Sequence, residues 1–337
     1  MLASGDAPDL IYWNYTAWLD EPASSALLAK KGYLEDLEPY FDGDEELNLS
    51  QFMPNILEIE RNRNGGLYAL PLAFYVTGLT AQMDYAGDGP DWSISDALNA
   101  AQNMPEDMDF WSYVSQEEAL NNLFGACDGQ FVDIETGECN FQTQSFYDLL
   151  TLCRDYFPAT IDENTVAASG GSLISGFGTM GRLGQFYTDT IRPLEEQGQA
   201  VYSYPGSTGT GLNVVFMDQF SICSQSQYKD IAWEFLSSLY SYDFQYSFGS
   251  VILSLRQDVV NDREDAYQQM YPEELSQEES QYIRDLVSSS TNYRDMENPV
   301  FAIISEEATA FFAGDKSAED VAGIIENRVK IYLSEQS

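Results

Sequence analysis

The chain has 337 residues, of which 44% are hydrophobic, and this length favours two hydrophobic cores over one. Fifty-five acidic residues against 15 basic ones give a formal net charge of −40, which opposes binding to nucleic acid and to anionic membranes. The chain has no histidine, so Ser-His-Asp hydrolysis and zinc catalysis lose their usual parts.

The first third of the chain alternates predicted strands and helices. Residues 9–13 are a branched and aromatic run, which predicts a buried strand, and a helix is predicted to follow over residues 24–31. After a turn at residues 62–66, residues 67–82 are apolar and β-prone. Pro71 lies within that run and indicates an edge strand or a change of direction.

The rest of the chain is predicted to be richer in helices. Residues 93–157 are predicted to be mainly helical, and the glycine-rich residues 170–184 are predicted to form a loop. Strand character returns at residues 199–204 and 214–222, and an amphipathic helix is predicted over residues 229–241. Two more helices are predicted near the C-terminus. The pattern as a whole indicates an α/β fold with a helical C-terminal portion.

The four cysteines, Cys127, Cys139, Cys153 and Cys223, include no Cys-x-x-Cys pair and no metal-ligand spacing. A disulfide between Cys127 and Cys139, formed outside the cell, is one interpretation of this pattern. Four free, buried thiols are the other. The sequence leaves both open.

Two short motifs are typical of ligand sites but lack the context that such sites need. Residues 176–181 match the dinucleotide-binding pattern G-x-G-x-x-G, but only a short run precedes them, so we interpret them as a flexible loop that lines a pocket. The acidic residues 42–46 lack the spacing of a calcium loop and indicate a solvated turn. No Asp or Glu stands in a catalytic motif. We therefore predict no cofactor and no metal site.

Five short segments follow one another in a recognisable order: residues 4–13 (SGDAPDLIYW), 32–37 (GYLEDL), 66–71 (GLYALP), 232–236 (AWEFL) and 312–319 (FAGDKSAE). In this order and rough spacing they resemble extracellular solute-binding proteins of family 1, the group that includes the maltose-binding protein. The resemblance covers nearly the whole chain. Because its first segment is similar to the start of the family's second strand, we expect the first strand and helix of lobe I to be missing.

The resemblance implies a two-lobed, type II periplasmic-binding-protein-like α/β fold. In that fold a hinge joins the lobes and a ligand cleft lies between them. By position, lobe I is predicted to comprise residues 1–75 and 217–257. Lobe II is predicted to comprise residues 76–216 and 258–337, which include the C-terminal helices.

The resemblance also implies where a ligand would bind. Members of the family stack aromatic faces on the C–H side of a sugar ring while polar groups bind its hydroxyls. The predicted ligand-binding residues are Trp13, Asn14 and Tyr15 in the loop after the first strand, Tyr75 at the first crossing between lobes, Phe177 in the pocket loop of lobe II, and Trp111 and Tyr293 as loop aromatics on the lobe II side. Packing in the core is the alternative role for each aromatic residue.

The function that the resemblance implies is capture of a mono- or oligosaccharide for a bacterial ABC importer, without catalysis. The partners would be the permease subunits, and the chain would act as an extracellular monomer held by a lipid anchor that this sequence does not show. Two other classes stay open: a secreted glycoside hydrolase that uses a pair of carboxylates, and a surface adhesion or scaffold protein.

Overall fold

Strands and helices alternate along most of the protein, for which a computed structural model describes residues 7–13, 25–44, 46–87, 91–127, 129–134, 136–161, 171–178, 182–248, 252–295 and 298–335. The first elements are β1 (Leu10–Trp13), α1 (Ser25–Lys30), α2 (Glu38–Gly43), a 3-10 turn (Leu49–Gln51), α3 (Pro54–Asn64), β2 (Leu70–Gln82), α4 (Met83–Ala86), α5 (Ile94–Asn103), β3 (Asp109–Trp111), α6 (Gln116–Gly125), β4 (Val132–Asp133), β5 (Glu138–Cys139) and α7 (Gln144–Tyr156). The later elements are β6 (Ser172–Gly178), α8 (Leu183–Phe186), a π-helical turn (Tyr187–Ile191), α9 (Arg192–Glu196), β7 (Gln199–Tyr202), β8 (Asn213–Ile222), α10 (Lys229–Leu239), α11 (Tyr242–Phe248), β9 (Leu253–Ser254), α12 (Gln257–Met270), α13 (Gln277–Ser288), β10 (Asn292–Tyr293), α14 (Phe301–Phe312) and α15 (Ala318–Glu335).

The chain divides into two units, each assembled from separate stretches of sequence. Unit 1 comprises Met1–Val76, Gly178–Arg192 and Val214–Thr291, and unit 2 comprises Thr77–Phe177, Pro193–Asn213 and Asn292–Ser337. Strand β2 therefore begins in unit 1 and ends in unit 2. The chain enters unit 1 for the last time at Val214, near the start of β8, and enters unit 2 for the last time after Thr291.

This division differs from the predicted lobes mainly in two segments, residues 178–192 and 258–291, which were predicted to lie in lobe II and belong to unit 1. The sequence placed the last crossing after Arg256, whereas the structure places it after Thr291. The reason is that α12 and α13 belong to unit 1, where both pack on α8. Their amphipathic faces bury apolar side chains, among them Val259, Val260, Ile283 and Val287.

Unit 1 contains the predicted amphipathic helix at residues 229–241, which the structure confirms as α10. The predicted strand at residues 9–13 is present as β1, but it is not buried, since Tyr12 is half exposed. Strand β1 runs antiparallel to β8, with Trp13 opposite Gln219. Strand β9 runs antiparallel to the first part of β2. The core of the unit includes Tyr240, which is fully buried and whose hydroxyl donates to the carbonyl of Leu70 at 2.8 Å.

Unit 2 is organised around a parallel pair of strands, β3 and β6, in which Asp109 lies opposite Ser172. Parallel neighbours need a long crossover connection, and here helices α6 and α7 occupy it. Strand β7 pairs antiparallel with the end of β2. Helices α5, α6, α7, α14 and α15 pack around a core rich in phenylalanine, including Phe110, Phe124, Phe131, Phe141 and Phe146.

One local prediction was wrong. Residues 170–184, predicted to be a loop, contain the strand β6. Residues 93–157 are mainly helical, as predicted, and also contain the short strands β3, β4 and β5. Neither β3 nor β6 has a clear apolar alternation of its own. Each forms because a neighbouring strand supplies its hydrogen-bonding partner, β6 for β3 and both β2 and β3 for β6, which local sequence does not show.

The four cysteines are free thiols in this structure, with Cys127, Cys153 and Cys223 buried and Cys139 half-buried. Burial raises the pKa of the Cys153 thiol well above its usual range, which keeps it protonated and unreactive. Within the described ranges, no helix combines the length and apolar character that a bilayer-spanning segment requires.

A buried carboxyl group, that of Glu60 on α3, sits at the centre of a polar network in unit 1. The Asn64 amide donates to one of its oxygens at 2.5 Å, the Gln219 amide donates to the other, and an Arg63 nitrogen lies 3.8 Å away. Burial raises the pKa of Glu60 to about 7, and the nearby Arg63 charge opposes that rise.

We predict that ionisation of Glu60 destabilises the protein above neutral pH. Burial raises the pKa of the folded Glu60 carboxyl from its ordinary 4.5 to about 7, so the stability that the protonated group contributes is complete below the ordinary pKa and is lost as pH rises to about 7. Between pH 5 and pH 8, the free energy of unfolding of wild type should fall by about 3 kcal/mol more than that of Glu60→Gln. Urea denaturation at both pH values measures this difference.

The matched control is Glu58→Gln, because Glu58 is an exposed carboxylate on the same helix. This variant should keep the pH dependence of wild type. If the free energy of unfolding changed with pH in the same way in wild type and in Glu60→Gln, Glu60 would not be the cause of the destabilisation.

Candidate functional site

Unit 2 contains a cavity of about 360 Å³ between β3, β6 and the end of α7. Its volume is within the range of small-molecule sites in proteins, roughly 300–1,000 Å³. The cavity is lined by Asp109, Trp111, Ser112, Tyr113, Tyr156, Pro158, Ile161, Gly171, Ser172, Ser175 and Gly176. Three aromatic rings and three serine hydroxyls thus face a common space.

The alternation of side chains along β3 explains why its residues reach this cavity. Phe110 is fully buried and packs against Trp92 and Phe157, with ring centroids 6.1 and 5.8 Å away. Because successive side chains of a strand point to opposite faces, Asp109 and Trp111 lie on the opposite face of β3 from Phe110, and both line the cavity. Burial of Phe110 therefore fixes the orientation of both pocket residues.

The Trp111 ring lies against a glycine of the neighbouring strand and a tyrosine behind it. A Cβ atom built on Gly176 would lie 3.2 Å from the indole, closer than ordinary van der Waals contact. On another side, the Tyr204 ring is 6.0 Å from the Trp111 ring, centroid to centroid, at an angle of 49°. The absence of a side chain at Gly176 thus leaves the room that the Trp111 ring occupies.

The polar groups of the pocket are joined by hydrogen bonds along β3 and β6. The Ser112 hydroxyl donates to Asp109 Oδ2 at 3.0 Å, and the Ser112 N–H donates to Ser172 Oγ at 3.0 Å. Burial and the nearby Asp155 raise the pKa of Tyr156, whose phenol therefore stays a donor at neutral pH. Among the described lining residues, Asp109 is the one with a formal charge.

Tyr113 stands out because its backbone adopts a conformation that side chains disfavour. Its φ angle is 64°, in the left-handed region, and its side chain is 69% exposed. A non-glycine residue in this region stores strain of roughly 1 kcal/mol or more, and such strain is concentrated at functional sites. The strained turn presents the Tyr113 ring at the mouth of the cavity.

The structure places the predicted site residues at several locations, and of those whose side chains it describes, Trp111 lines this cavity. Trp13 ends β1 in unit 1, where its indole N–H donates to Ser221 Oγ at 2.9 Å, and Tyr75 is half-buried on β2 in unit 1. Tyr293 is half-buried on β10 in unit 2 and is not among the lining residues.

Three of the predicted residues cannot be placed as side chains. Asn14 and Tyr15 lie outside the described residues, and Phe177 belongs to β6 while its side chain is not described. The roles of all seven residues as ligand contacts stay predictions. Sequence reasoning missed Tyr113 and Tyr156, although the run Trp111-Ser112-Tyr113 directly after an acidic and apolar pair was an available signal.

The motifs considered for metals and nucleotides have other roles where the structure describes them. Asp44, in the acidic turn, accepts hydrogen bonds from the N–H groups of Glu46 and Leu47, both at 2.9 Å, which is the geometry of a capped turn. Gly176 is part of β6. In the part of the chain that is described, no three His, Cys, Asp or Glu residues converge as metal ligands would.

The chain is similar to solved solute-binding proteins over almost its whole length. It is 18% identical to an ABC transporter solute-binding protein of Thermotoga lettingae solved with α-D-tagatose, with 98% of this chain and 87% of that chain covered at a TM-score of 0.56. It is 17% identical to the GacH receptor of Streptomyces glaucescens, solved unliganded and with acarbose, with 98% of this chain and 84% of that chain covered at a TM-score of 0.53. It is 14% identical to the sugar-binding protein MalE of Xanthomonas citri, with 99% of this chain and 85% of that chain covered at a TM-score of 0.58.

These likenesses establish the fold. The chain has the α/β fold of ABC transporter solute-binding proteins, which confirms the predicted fold class. The sequence has no significant match among protein-family models or curated proteins.

We predict that Tyr113→Gly stabilises the protein, because glycine adopts a positive φ angle without strain. The free energy of unfolding should rise by about 1 kcal/mol, measured by urea denaturation. Tyr228→Gly is the control, since Tyr228 is also an exposed tyrosine but has a φ angle of −121°. That variant should be destabilised, and equal destabilisation of both variants would contradict strain at Tyr113.

Proposed function

We propose that the protein is the substrate-binding component of a bacterial ABC importer, and that it captures a carbohydrate by closing its two units without catalysing a reaction. The fold supports this proposal because the solved proteins that share it include receptors whose structures hold tagatose or acarbose. Fold alone does not fix a ligand. The residues of the cavity in unit 2 are therefore the main support.

The observation on which the proposal rests is the chemistry of that cavity. A sugar ring presents C–H groups on its faces and hydroxyls at its edge, so it needs a flat apolar surface beside hydrogen-bonding groups. Trp111 supplies an indole face, and Ser112 and Ser172, which carry hydroxyls, line the same cavity. The cavity thus offers both kinds of contact that a sugar requires.

The partners and the location are part of the same proposal. An importer of this class passes its ligand to permease subunits at the membrane, so the protein would act outside the cytoplasm as a monomer tethered by a lipid anchor. The alternative of a glycoside hydrolase needs two carboxylates facing the substrate. Asp109 is the one carboxylate among the lining residues that are described, which favours binding without turnover.

The charge of the site narrows the class of sugar. The net charge of −40 and the Asp109 carboxylate in the cavity both oppose an anionic ligand. No lining residue in the described part of the cavity is a lysine or arginine that could pair with a carboxylate or phosphate. The ligand that fits best is a neutral sugar or one bearing an amino group.

We predict that Trp111→Ala weakens binding of a neutral sugar because it removes the stacking surface. Isothermal titration calorimetry of the purified chain against mono- and oligosaccharides should find a saturable ligand, and the Kd should rise at least about tenfold in the variant. Trp111→Phe keeps an aromatic face and should lose less affinity.

The control for this experiment is Tyr228→Ala, which removes an exposed aromatic ring of unit 1 and should leave the Kd unchanged. Product analysis of the same samples tests the enzymatic alternative. Release of shortened sugar would contradict the proposal in favour of a hydrolase, and no binding by a well-folded sample would contradict carbohydrate as the ligand.

We also predict discrimination against uronic acids. A sugar acid of the same stereochemistry should bind about tenfold or more weakly than its neutral parent at low salt, because its carboxylate faces that of Asp109. Asp109→Asn should reduce the ratio of the two Kd values. Asp155→Asn, which removes an exposed carboxylate nearby, should leave that ratio unchanged. A uronic acid that binds as tightly as its neutral parent to wild type would contradict this selectivity.

A further inference from the structure

Behind the Trp111 ring lies a buried arginine that acts on it through a tyrosine. Arg294 is 93% buried, and its guanidinium carbon lies 4.5 Å from the centroid of the Tyr204 ring. Arg294 Nη1 also donates to the Tyr204 hydroxyl at 3.2 Å. Because Tyr204 is itself in ring contact with Trp111, three side chains form a continuous stack from the core to the cavity.

The backbone around Tyr204 is fixed without help from Arg294. The Tyr204 N–H donates to Asn213 Oδ1 at 2.8 Å, and the Ser207 hydroxyl donates to the Tyr204 carbonyl at 2.7 Å. What the arginine adds is restraint of the ring, since it holds both the face and the hydroxyl. Loss of the Arg294 contacts would therefore change the tilt of the Tyr204 ring and leave the backbone in place.

Arg294 is held in place at both ends. Its Nη2 donates to Asn122 Oδ1 on α6, and the backbone of the next residue is fixed because the Asp295 N–H donates to the carbonyl of Gly125 at 2.7 Å. The preceding Asn292 donates to the carbonyl of Gly211 at 2.7 Å. These contacts anchor the segment at the point where the chain enters unit 2 for the last time.

Burial of Arg294 is expected to destabilise the fold if the side chain does no more than fill the core. Its Nε–H is buried and has no hydrogen-bond partner, and no carboxylate forms an ion pair with it in the part of the chain that is described. A buried cation without a carboxylate is destabilising unless other contacts offset its desolvation. Retention of such a group beside a pocket indicates a role in the pocket.

We propose that Arg294 is a positioning residue for the pocket: acting through Tyr204, its guanidinium fixes the orientation of the Trp111 ring on which the ligand stacks. This inference rests on the proposed function for its consequence in binding, but not for its structural content. Guanidinium is required because its carbon lies over the Tyr204 ring while one of its nitrogens donates to the hydroxyl of the same residue. Lysine, which keeps the charge, cannot make both contacts.

The test replaces all five tryptophans with 5-fluorotryptophan and follows their ¹⁹F NMR resonances, with the Trp111 signal assigned by its loss in Trp111→Phe. The variants are Arg294→Lys and Tyr204→Phe, of which the second removes only the hydroxyl that Arg294 contacts. In both, the Trp111 resonance should shift or broaden while the other four stay in place. The Kd for the neutral sugar should rise about tenfold in Arg294→Lys and about threefold in Tyr204→Phe.

Arg328→Lys is the matched control, because Arg328 also lies in unit 2 but pairs with the surface carboxylates of Glu306 and Glu307. It should change neither the Trp111 resonance nor the Kd. An unchanged Trp111 resonance in folded Arg294→Lys and Tyr204→Phe would overturn the proposal. If Arg294→Lys does not fold, Tyr204→Phe decides alone.

The two proposals fail in different ways. If no sugar binds wild type, the proposed function fails, but the ¹⁹F spectra still decide whether Arg294 orients Trp111. If sugar binds and the Trp111 resonance is unchanged in both variants, the proposed function stands and the proposed role of Arg294 is wrong.

Discussion

The parallel pairing of β3 with β6 is the constraint on which the candidate site depends. It sets the alternation that buries Phe110 in the core of unit 2 and places Asp109 and Trp111 on the opposite face of β3. The same pairing brings Gly176 beside the Trp111 ring, where any Cβ atom would press on the indole. A register shift of one residue would exchange the core and pocket faces of the strand, so the pocket exists only in this register.

Charge is the second constraint, because a chain with a net charge of −40 must still accommodate the charged side chains that lie in its core. In unit 1 the network accommodates Glu60 by raising its pKa to about 7, so that the buried carboxyl is largely neutral below that pH. In unit 2 one buried charged group is Arg294, whose guanidinium lies over the Tyr204 ring and donates to Asn122. Glu60 is thus accommodated by protonation, and Arg294 by aromatic and amide contacts.

Much of the fold could be predicted from sequence, because long periodic or apolar segments such as those of β1, β2 and α10 determine their own structure. Short strands could not be predicted, since β3 and β6 stabilise each other across some sixty residues. The site was predictable only in part. Trp111 follows from its residue type and position, but the exposure of Tyr113 depends on a positive φ angle, and the role of Arg294 on contacts distant in sequence.

The central claim is that a sugar binds in the cavity of unit 2 and stacks on Trp111. Saturation-transfer difference NMR of the wild-type chain with neutral sugars tests this claim most directly. The account predicts strong saturation of the C–H protons on one face of the ring and weaker saturation elsewhere, from a ligand that stays chemically intact. No transfer from a well-folded sample to any sugar would contradict it, and so would the appearance of hydrolysis products during the measurement.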